Sequence, residues 1–324
     1  MKRLLLSALS FVLVLAGSAP LHAQSYPSRP VRIIVPFGPG GAADSLPRML
    51  GPRLTEALGQ PVIFDNRVGA AGNIGMEAGA KAAPDGYTLT SAPVGNLAIN
   101  PQIYSKLAYD VFRDFTPITL IGSVHNVLAV NPSVPAQSLS ELVAYAKANP
   151  GKLSFGSGGV GSQAHMGGEL LKSTTGIDML HVAYKGVGDS MKDLLGGQLA
   201  MVCAQVPSAA SLVKSGKLRA LGVASPRRSP VLPEVPTVDE AAGIKGFEAV
   251  SWYALVGPAG MTADVVARIQ SEVARAVHSP DMREKMLSMG AEPVGSTQAQ
   301  LSAAMKQDYE RYGTLIKRLG IKAE

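Results

Sequence analysis

The chain of 324 residues contains a single cysteine, Cys203. No intrachain disulfide is available, so stability has to come from packing. Aromatic residues are only 5% of the chain, too few for a base-stacking platform. The 30 basic residues are scattered among 24 acidic ones, and the tightest group is Arg227 with Arg228. Nucleic acid is thereby excluded as a partner, while the formal charge of +6 suits a protein that meets small anions. There is no H-E-x-x-H and no Cys/His pairing at zinc spacing, so no metal or other cofactor is expected. There is also no G-x-S-x-G elbow and no Walker A loop, and Cys203 lies inside an apolar strand candidate.

Long hydrophobic runs are missing too, apart from the start of the chain. Lys2 and Arg3 precede an apolar stretch, Leu4 to Leu15, and small residues lead to Ala23. The pattern is that of a secretory signal peptide over residues 1–23. Its apolar core is shorter than the roughly 20 residues that span a bilayer. Leu21 occupies the −3 position, where alanine is more usual, and leaves the cleavage point open by a few residues. The expected location is the periplasm.

About 300 residues remain, a length that suits two domains. Strand and helix signals alternate, which predicts an α/β fold of parallel strands covered by helices. "VRIIV", "PVIFD" and "DGYTLTSA" read as strands, with Asp44 as a candidate cap for the first helix and Pro47 in its first turn. "DFTPITLIGSVHNVLAVN" reads as a strand leaving one domain and a strand entering the next. Helices are expected after Ser138, from Ser162 to Thr174, from Val187 to Leu195 and from Pro207 to Ser215. "FEAVSWYALVGP" crosses back, and helices beginning at Thr262, Pro280 and Thr297, with no strand nearby, complete the first domain. The expected lobes are 24–124 with 251–324, and 125–250, with a cleft between them.

Each inferred lobe has one glycine-rich strand-to-helix loop, "PFGPGGAAD" (Pro36 to Asp44) and "GSGGVGS" (Gly156 to Ser162). In open α/β sheets ligands bind beyond the carboxyl ends of strands. A helix start there offers unpaired N–H groups and the positive end of a dipole. Glycine leaves those amides uncovered, so an anion can be held without a cationic side chain. Two ordinary βα turns are the bland alternative. The second loop also matches G-x-G-x-x-G at Gly156, Gly158 and Gly161, but the following strand ends at Val182 to Tyr184 without the acidic residue a dinucleotide site requires.

Of the histidines outside the leader, His181 alternates within a strand, and His278 closes a helix. His165 lies in the turn after the second loop and could face a ligand or satisfy the backbone, and His125 lies at a domain crossing. Asp44 and Arg48, four apart, most simply form a local ion pair.

The ordered blocks "YPSRPVRIIVPFGPGGAAD", "NRVGAAGNIG", "SFGSGGVGSQAHMGGELLK", "HVAYKG", "DLLGGQLAMVCAQVPSA", "GKLRALGVAS", "LPEVPTV" and "SWYALVGPAG" resemble the receptors of tripartite tricarboxylate transporters, the Bug/TctC family. The resemblance covers the whole chain after the leader. It implies a two-lobed, Venus-flytrap periplasmic-binding-protein fold, each lobe a mixed sheet flanked by helices. It also implies a carboxylate gripped by backbone amides, small hydroxyls and bridging waters. The positions so implied are Phe37, Gly38, Pro39, Gly40, Gly41, Ala42, Ala43 and Asp44 in the first loop, and Ser157, Gly158, Val160, Gly161 and Ser162 in the second. Asn96, His125, His165, Tyr184, Ala204 and Gln205 are placed around them.

Family members often carry an acidic residue and Asn where this chain has Ala204 and Gln205, which argues for a plain organic acid over an amino acid. Tyr184, Trp252 and Tyr253 are candidates for an apolar wall, with core packing the equal alternative for Trp252. The implied function is capture of a mono- or dicarboxylate, aliphatic or aromatic, by a monomeric receptor that hands it to a membrane permease of the TctA/TctB type. Two alternatives stand beside it: presentation of the acid to a membrane sensor, and an exported hydrolase or isomerase with His125, His165 and Lys185 as loose candidates for its base.

Overall fold

The computed structural model describes residues 26–39, 41–184 and 186–323. The leader, Gly40 and Lys185 lie outside the described residues. The chain builds two sheets, each packed between helices. In the first half, β1 (Val31–Val35) leads through the glycine-rich loop into α1 (Ala42–Leu58), β2 (Val62–Asn66), α2 (Asn73–Ala80) and β3 (Thr88–Pro93). A π-helical turn (Gly95–Ile99) and α3 (Asn100–Ile103) follow, and then β4 (Phe115–Val124).

His125 alone separates β4 from β5 (Asn126–Val130), which starts the second sheet. There follow α4 (Leu139–Ala148), β6 (Leu153–Ser157), α5 (Gln163–Thr175), β7 (Met179–Ala183), α6 (Val187–Leu195), β8 (Met201–Gln205), α7 (Val206–Lys214), β9 (Arg219–Val223) and α8 (Val238–Ala242). The chain returns in β10 (Ser251–Pro258) and ends in α9 (Ala263–His278), α10 (Pro280–Ser288), β11 (Ala291–Pro293) and α11 (Gln298–Leu319). Ser138, Ser162 and Thr297 each cap their helix by accepting a backbone N–H, as their positions before apolar periodicity predict.

The strand orders are β11-β4-β10-β3-β1-β2 and β7-β6-β8-β5-β9. In the first sheet β1 is parallel to β2 and β3, while β10 runs antiparallel to β3 and β4. In the second, β6 is parallel to β7 and β8, while β5 is antiparallel to β8 and β9. The sheets are therefore mixed: in each one the crossing strand reverses direction. Alternation along β10 shows how one strand feeds two cores. Trp252, Ala254 and Val256 pack with Met305 and Tyr312 of α11, whereas Tyr253 and Leu255 pack with Ile269 and Val273 of α9. A strand buried on both faces reads as a continuous apolar run, as "SWYALVGP" does.

Three expectations need correction. The helix after the first loop starts at Ala42 with Gly41 as its cap, so Asp44 is an interior first-turn residue. The C-terminal helices do have a strand among them, β11, which pairs with the end of β4. Pro47 lies in the second turn of α1, where its ring nitrogen cannot donate to the Ala43 carbonyl. The buried Ser91 hydroxyl of β3 donates to that carbonyl instead, at 3.1 Å.

Two segments cross between the sheets side by side, at Val124–Asn126 and just before Ser251. The Asn126 side-chain amide donates to Ala249 O and to Ser251 Oγ, fastening one crossing to the other.

Ser91→Ala should cost about 1–3 kcal/mol in denaturant unfolding, because it strands a buried carbonyl. In a Pro47→Ala background, where a helix N–H can serve Ala43, the same change should cost clearly less. Equal costs in both backgrounds would show that Ser91 does not serve this carbonyl.

Candidate functional site

The strand orders locate the crevices. In the first sheet the chain goes from β1 to β2 on one side and returns to β3 on the other; in the second it goes from β6 to β7 and returns to β8. Such a reversal opens a gap beyond the carboxyl ends of the two diverging strands. The first gap lies between the loop after β1 (37–41) and the turn after β3 that carries Asn96. The second lies between the loop after β6 (158–162) and Gln205 at the end of β8.

Contacts run from one gap to the other. A Cβ on Gly72 would lie 2.9 Å from Phe37 Cζ and from Asn96 Nδ2. Asn96 and Asn100 both donate to Ala71 O (3.0 and 3.2 Å) and to Asn73 Oδ1 (3.4 and 2.7 Å). A Cβ on Gly161 would lie 2.2 Å from Ile103 Cδ1 and 3.7 Å from Asn100 Oδ1. With φ at +78°, only glycine suits position 161 in both space and conformation. Two further bonds join the halves near the crossings: Gln205 Nε2 to Tyr253 OH at 2.6 Å, and Gln163 Nε2 to Tyr312 OH at 2.6 Å.

In the first loop the buried Asp44 carboxylate accepts from Arg48 at 2.5 Å and from Asn66 Nδ2 at 2.9 Å. The same Asn66 amide donates to Phe37 O at 2.8 Å, so Asp44 and Asn66 pin the loop to β2. The Ala42 and Ala43 amides begin the helix and donate to no other described residue. In the second loop the Gly159 amide donates to Ser157 Oγ (3.1 Å) and the Gly161 amide to His165 Nδ1 (3.2 Å), so these two are used within the loop. Those of Gly158 and Val160 donate to no other described residue. Each half thus presents peptide N–H groups with no partner among the described residues, at the start of α1 in the first half and in the loop ahead of α5 in the second, an arrangement that can bind an anion.

The remaining expected residues divide. Asn96 is buried at the first gap, and Gln205 borders the second. Gly38, Pro39 and Gly41 lie in the first loop, and Ser162 caps α5. Ala204 does not line a gap. Alternation along β8 turns it into the apolar layer with Val127, Val202 and Met191, so its small size says nothing of a ligand wall. Tyr184 donates its hydroxyl to Asp193 at 2.6 Å, which raises the phenol to about 12. Trp252 is core, its indole donating to Asp308 at 2.6 Å. His125 lines a separate cavity of about 300 Å³ at the crossings, with Arg227, Trp252, Glu292 and Arg311. Its Nε2 is 3.4 Å from Glu292, a contact that together with Arg227 holds the glutamate below the usual carboxylate range.

Sequence reasoning missed Asn73, Asn100 and Tyr109. The Tyr109 hydroxyl donates to Asn73 Oδ1 at 2.9 Å, so three donors converge on one amide oxygen. It also missed the left-handed conformation of Ala70 and Ala71, whose φ values of 46° and 52° are costly for alanine. The signal was "NRVGAAGNIG", but its partners lie more than 20 residues along the chain.

His165 and His181 stack with ring centroids 3.9 Å apart. Burial lowers His165 to about 3, with His181 and Lys172 adding to the effect, and lowers His181 to about 4. Both rings are neutral in the folded protein, whereas the unfolded chain takes up protons near pH 6.5. Their contribution to stability is therefore present above pH 6.5 and is lost as the pH falls from there toward 3. His165→Asn should flatten the fall in the unfolding midpoint over that window. A slope equal to that of the wild type would show that His165 is protonated equally in the folded and unfolded states.

Residues 46–321 match the family described as "Tripartite tricarboxylate transporter family receptor". Protein BugT of Bordetella pertussis is 37% identical over 323 residues, covering 98% of each chain. A UPF0065 protein from the tcbD-tcbE intergenic region of Pseudomonas sp. strain P51 is 34% identical over 322 residues, covering 99% of this chain and 96% of that protein. Among solved structures, Rpa4515 of R. palustris with adipate superposes with a TM-score of 0.83 at 34% identity, covering 92% of this chain and 99% of that one. MatC of Rhodopseudomonas palustris with bound malate gives 0.78 at 31% identity, covering 90% and 100%. With a family profile spanning most of the chain and relatives matched end to end, this protein belongs to the tripartite tricarboxylate transporter receptors, and it is a solute-binding receptor rather than an enzyme.

Proposed function

We propose that the protein is an exported receptor that captures a small dicarboxylate between its two halves and delivers it to a membrane permease of the TctA/TctB type. The observation that carries this reading is the meeting of two strand-order reversals, with Gly161 of one half set against Asn100 and Ile103 of the other. A ligand there reaches amides with no partner among the described residues, those of Ala42 and Ala43 at the start of α1 and those of Gly158 and Val160 in the loop ahead of α5. An acid with a carboxylate at each end meets one set of amides per carboxylate. Relatives solved with adipate and with malate support an aliphatic diacid of that size.

In this reading the lobes are 24–124 with 251–324, and 125–250, hinged at the paired crossings that Asn126 fastens. Closure follows from differential binding, since the ligand touches both lobes only in the closed form. The receptor acts as a monomer. Export rests on the leader pattern of residues 1–23. No helix among the described residues is long and apolar enough to cross a membrane.

Adipate and malate should raise the melting temperature, by the equivalent of about 2.7 kcal/mol at a ligand concentration a hundred times Kd. Simple amines should not. Gly161→Val, which sets a branched side chain against Ile103, should abolish that shift, and it should also lower the ligand-free melting temperature because a φ of +78° strains a branched residue. The reading is wrong if no carboxylate shifts the wild type and native mass spectrometry finds none carried through purification.

A further inference from the structure

We propose that His165 is a positioning residue: its imidazole accepts the Gly161 amide and so holds the Ser157–Ser162 loop in the shape that meets the ligand, without touching the ligand itself. The proposal rests on the receptor reading above and assigns a role within that site.

The ring is 4% exposed. Nδ1 accepts from Gly161 N at 3.2 Å, so it carries no proton. The proton is on Nε2, which lies 3.9 Å from Glu169 Oε1, itself bonded to Lys172 Nζ at 2.9 Å. One face of the ring stacks on His181, and Phe155 of β6 stacks against both rings. The ionisable groups around His165 are Glu169 and Lys172 on its own helix and His181 on β7; β6 contributes only the phenyl ring of Phe155.

The two histidines grip opposite ends of one loop. His181 Nε2 lies 2.7 Å from Ser157 Oγ, and that hydroxyl contacts both the amide and the carbonyl of Gly159 at 3.1 Å. When Ser157 donates to the Gly159 carbonyl, His181 is the donor through Nε2, and a further proton on its Nδ1 would leave the bond intact. His165 has no such tolerance. A proton on its Nδ1 would set donor against donor at Gly161, the residue packed on Ile103 and Asn100 of the opposite half. A stretch containing Gly158, Gly159 and Gly161 has little intrinsic stiffness. Without the anchor its ordering falls on the binding step, and affinity drops.

The test uses the full chain. Calorimetry with adipate and with malate compares wild type, His165→Asn, which keeps an acceptor near the Nδ1 position, and His165→Leu, which does not. Loss of one buried acceptor should raise Kd about ten-fold or more in His165→Leu, while His165→Asn stays within about threefold of wild type. Nitrogen NMR of the wild-type imidazoles reads the same claim without a substitution: His165 should be neutral with its proton on Nε2 at pH 7. Wild-type affinity in His165→Leu, an equal loss in two folded variants, or a proton on Nδ1 would each overturn the proposal. If His165→Leu does not fold, His165→Asn and the NMR tautomer decide. Failure of the wild type to bind any acid would instead count against the receptor reading, and the tautomer would still report on the loop.

Discussion

The proposed site depends on peptide N–H groups at the start of α1 and in the loop ahead of α5. A backbone amide cannot be neutralised or titrated, and its charge is only partial, so it holds an anion only when it is unpaired and aimed. Both requirements conflict with packing, because an amide free to meet a ligand is one that the fold leaves without a partner. The two halves resolve the conflict in parallel. In each, strand order reverses beside the central parallel strand and opens a gap into which that strand's loop projects. A buried side-chain network then holds the loop from behind.

The two supports differ in chemistry. Behind the first loop stands an ionic one, Asp44 with Arg48 and Asn66, whose carboxylate is buried while the guanidinium is partly exposed. Behind the second stands a neutral one, the stacked imidazoles of His165 and His181 against Phe155. A neutral acceptor suits that place. A fixed positive charge there would add long-range attraction for any anion and blur the geometric selection that oriented amides supply, and a carboxylate would repel the ligand. Burial keeps both rings uncharged across the pH range in which an isolated histidine changes state.

The crossings also answer to chemistry. Asn126 ties the two connecting segments together, while Gln205 and Gln163 reach across to tyrosine hydroxyls of the other half. Amide-to-phenol bonds of this kind join the two halves without the desolvation cost of buried ion pairs. The cavity lined by His125, Glu292 and Arg227 lies beside this seam.

The elements were largely legible from local pattern. The strand in "VRIIV", the cap at Ser162 and the helix from Val187 to Leu195 follow from apolar period and cap chemistry, which act over a few residues. The ordered family blocks identified the receptor class, and both glycine-rich loops stood out as strand-to-helix turns with little side chain to cover their amides. What local pattern left open was the direction of side chains and the partners of polar groups. The family resemblance put Ala204 at a ligand wall, although its parity on β8 turns it into the core, and His125 at the domain crossing was counted among the ligand-binding residues, although it lines another cavity. Asn73, Asn96, Asn100 and Tyr109 meet only because α2 and the segment after β3 pack side by side. Sequence alone thus determined which segments are helix, strand and exposed loop, because those choices rest on neighbours along the chain. The tertiary structure alone decided which residues share a gap, because sheet order and strand register bring together groups that no local period connects.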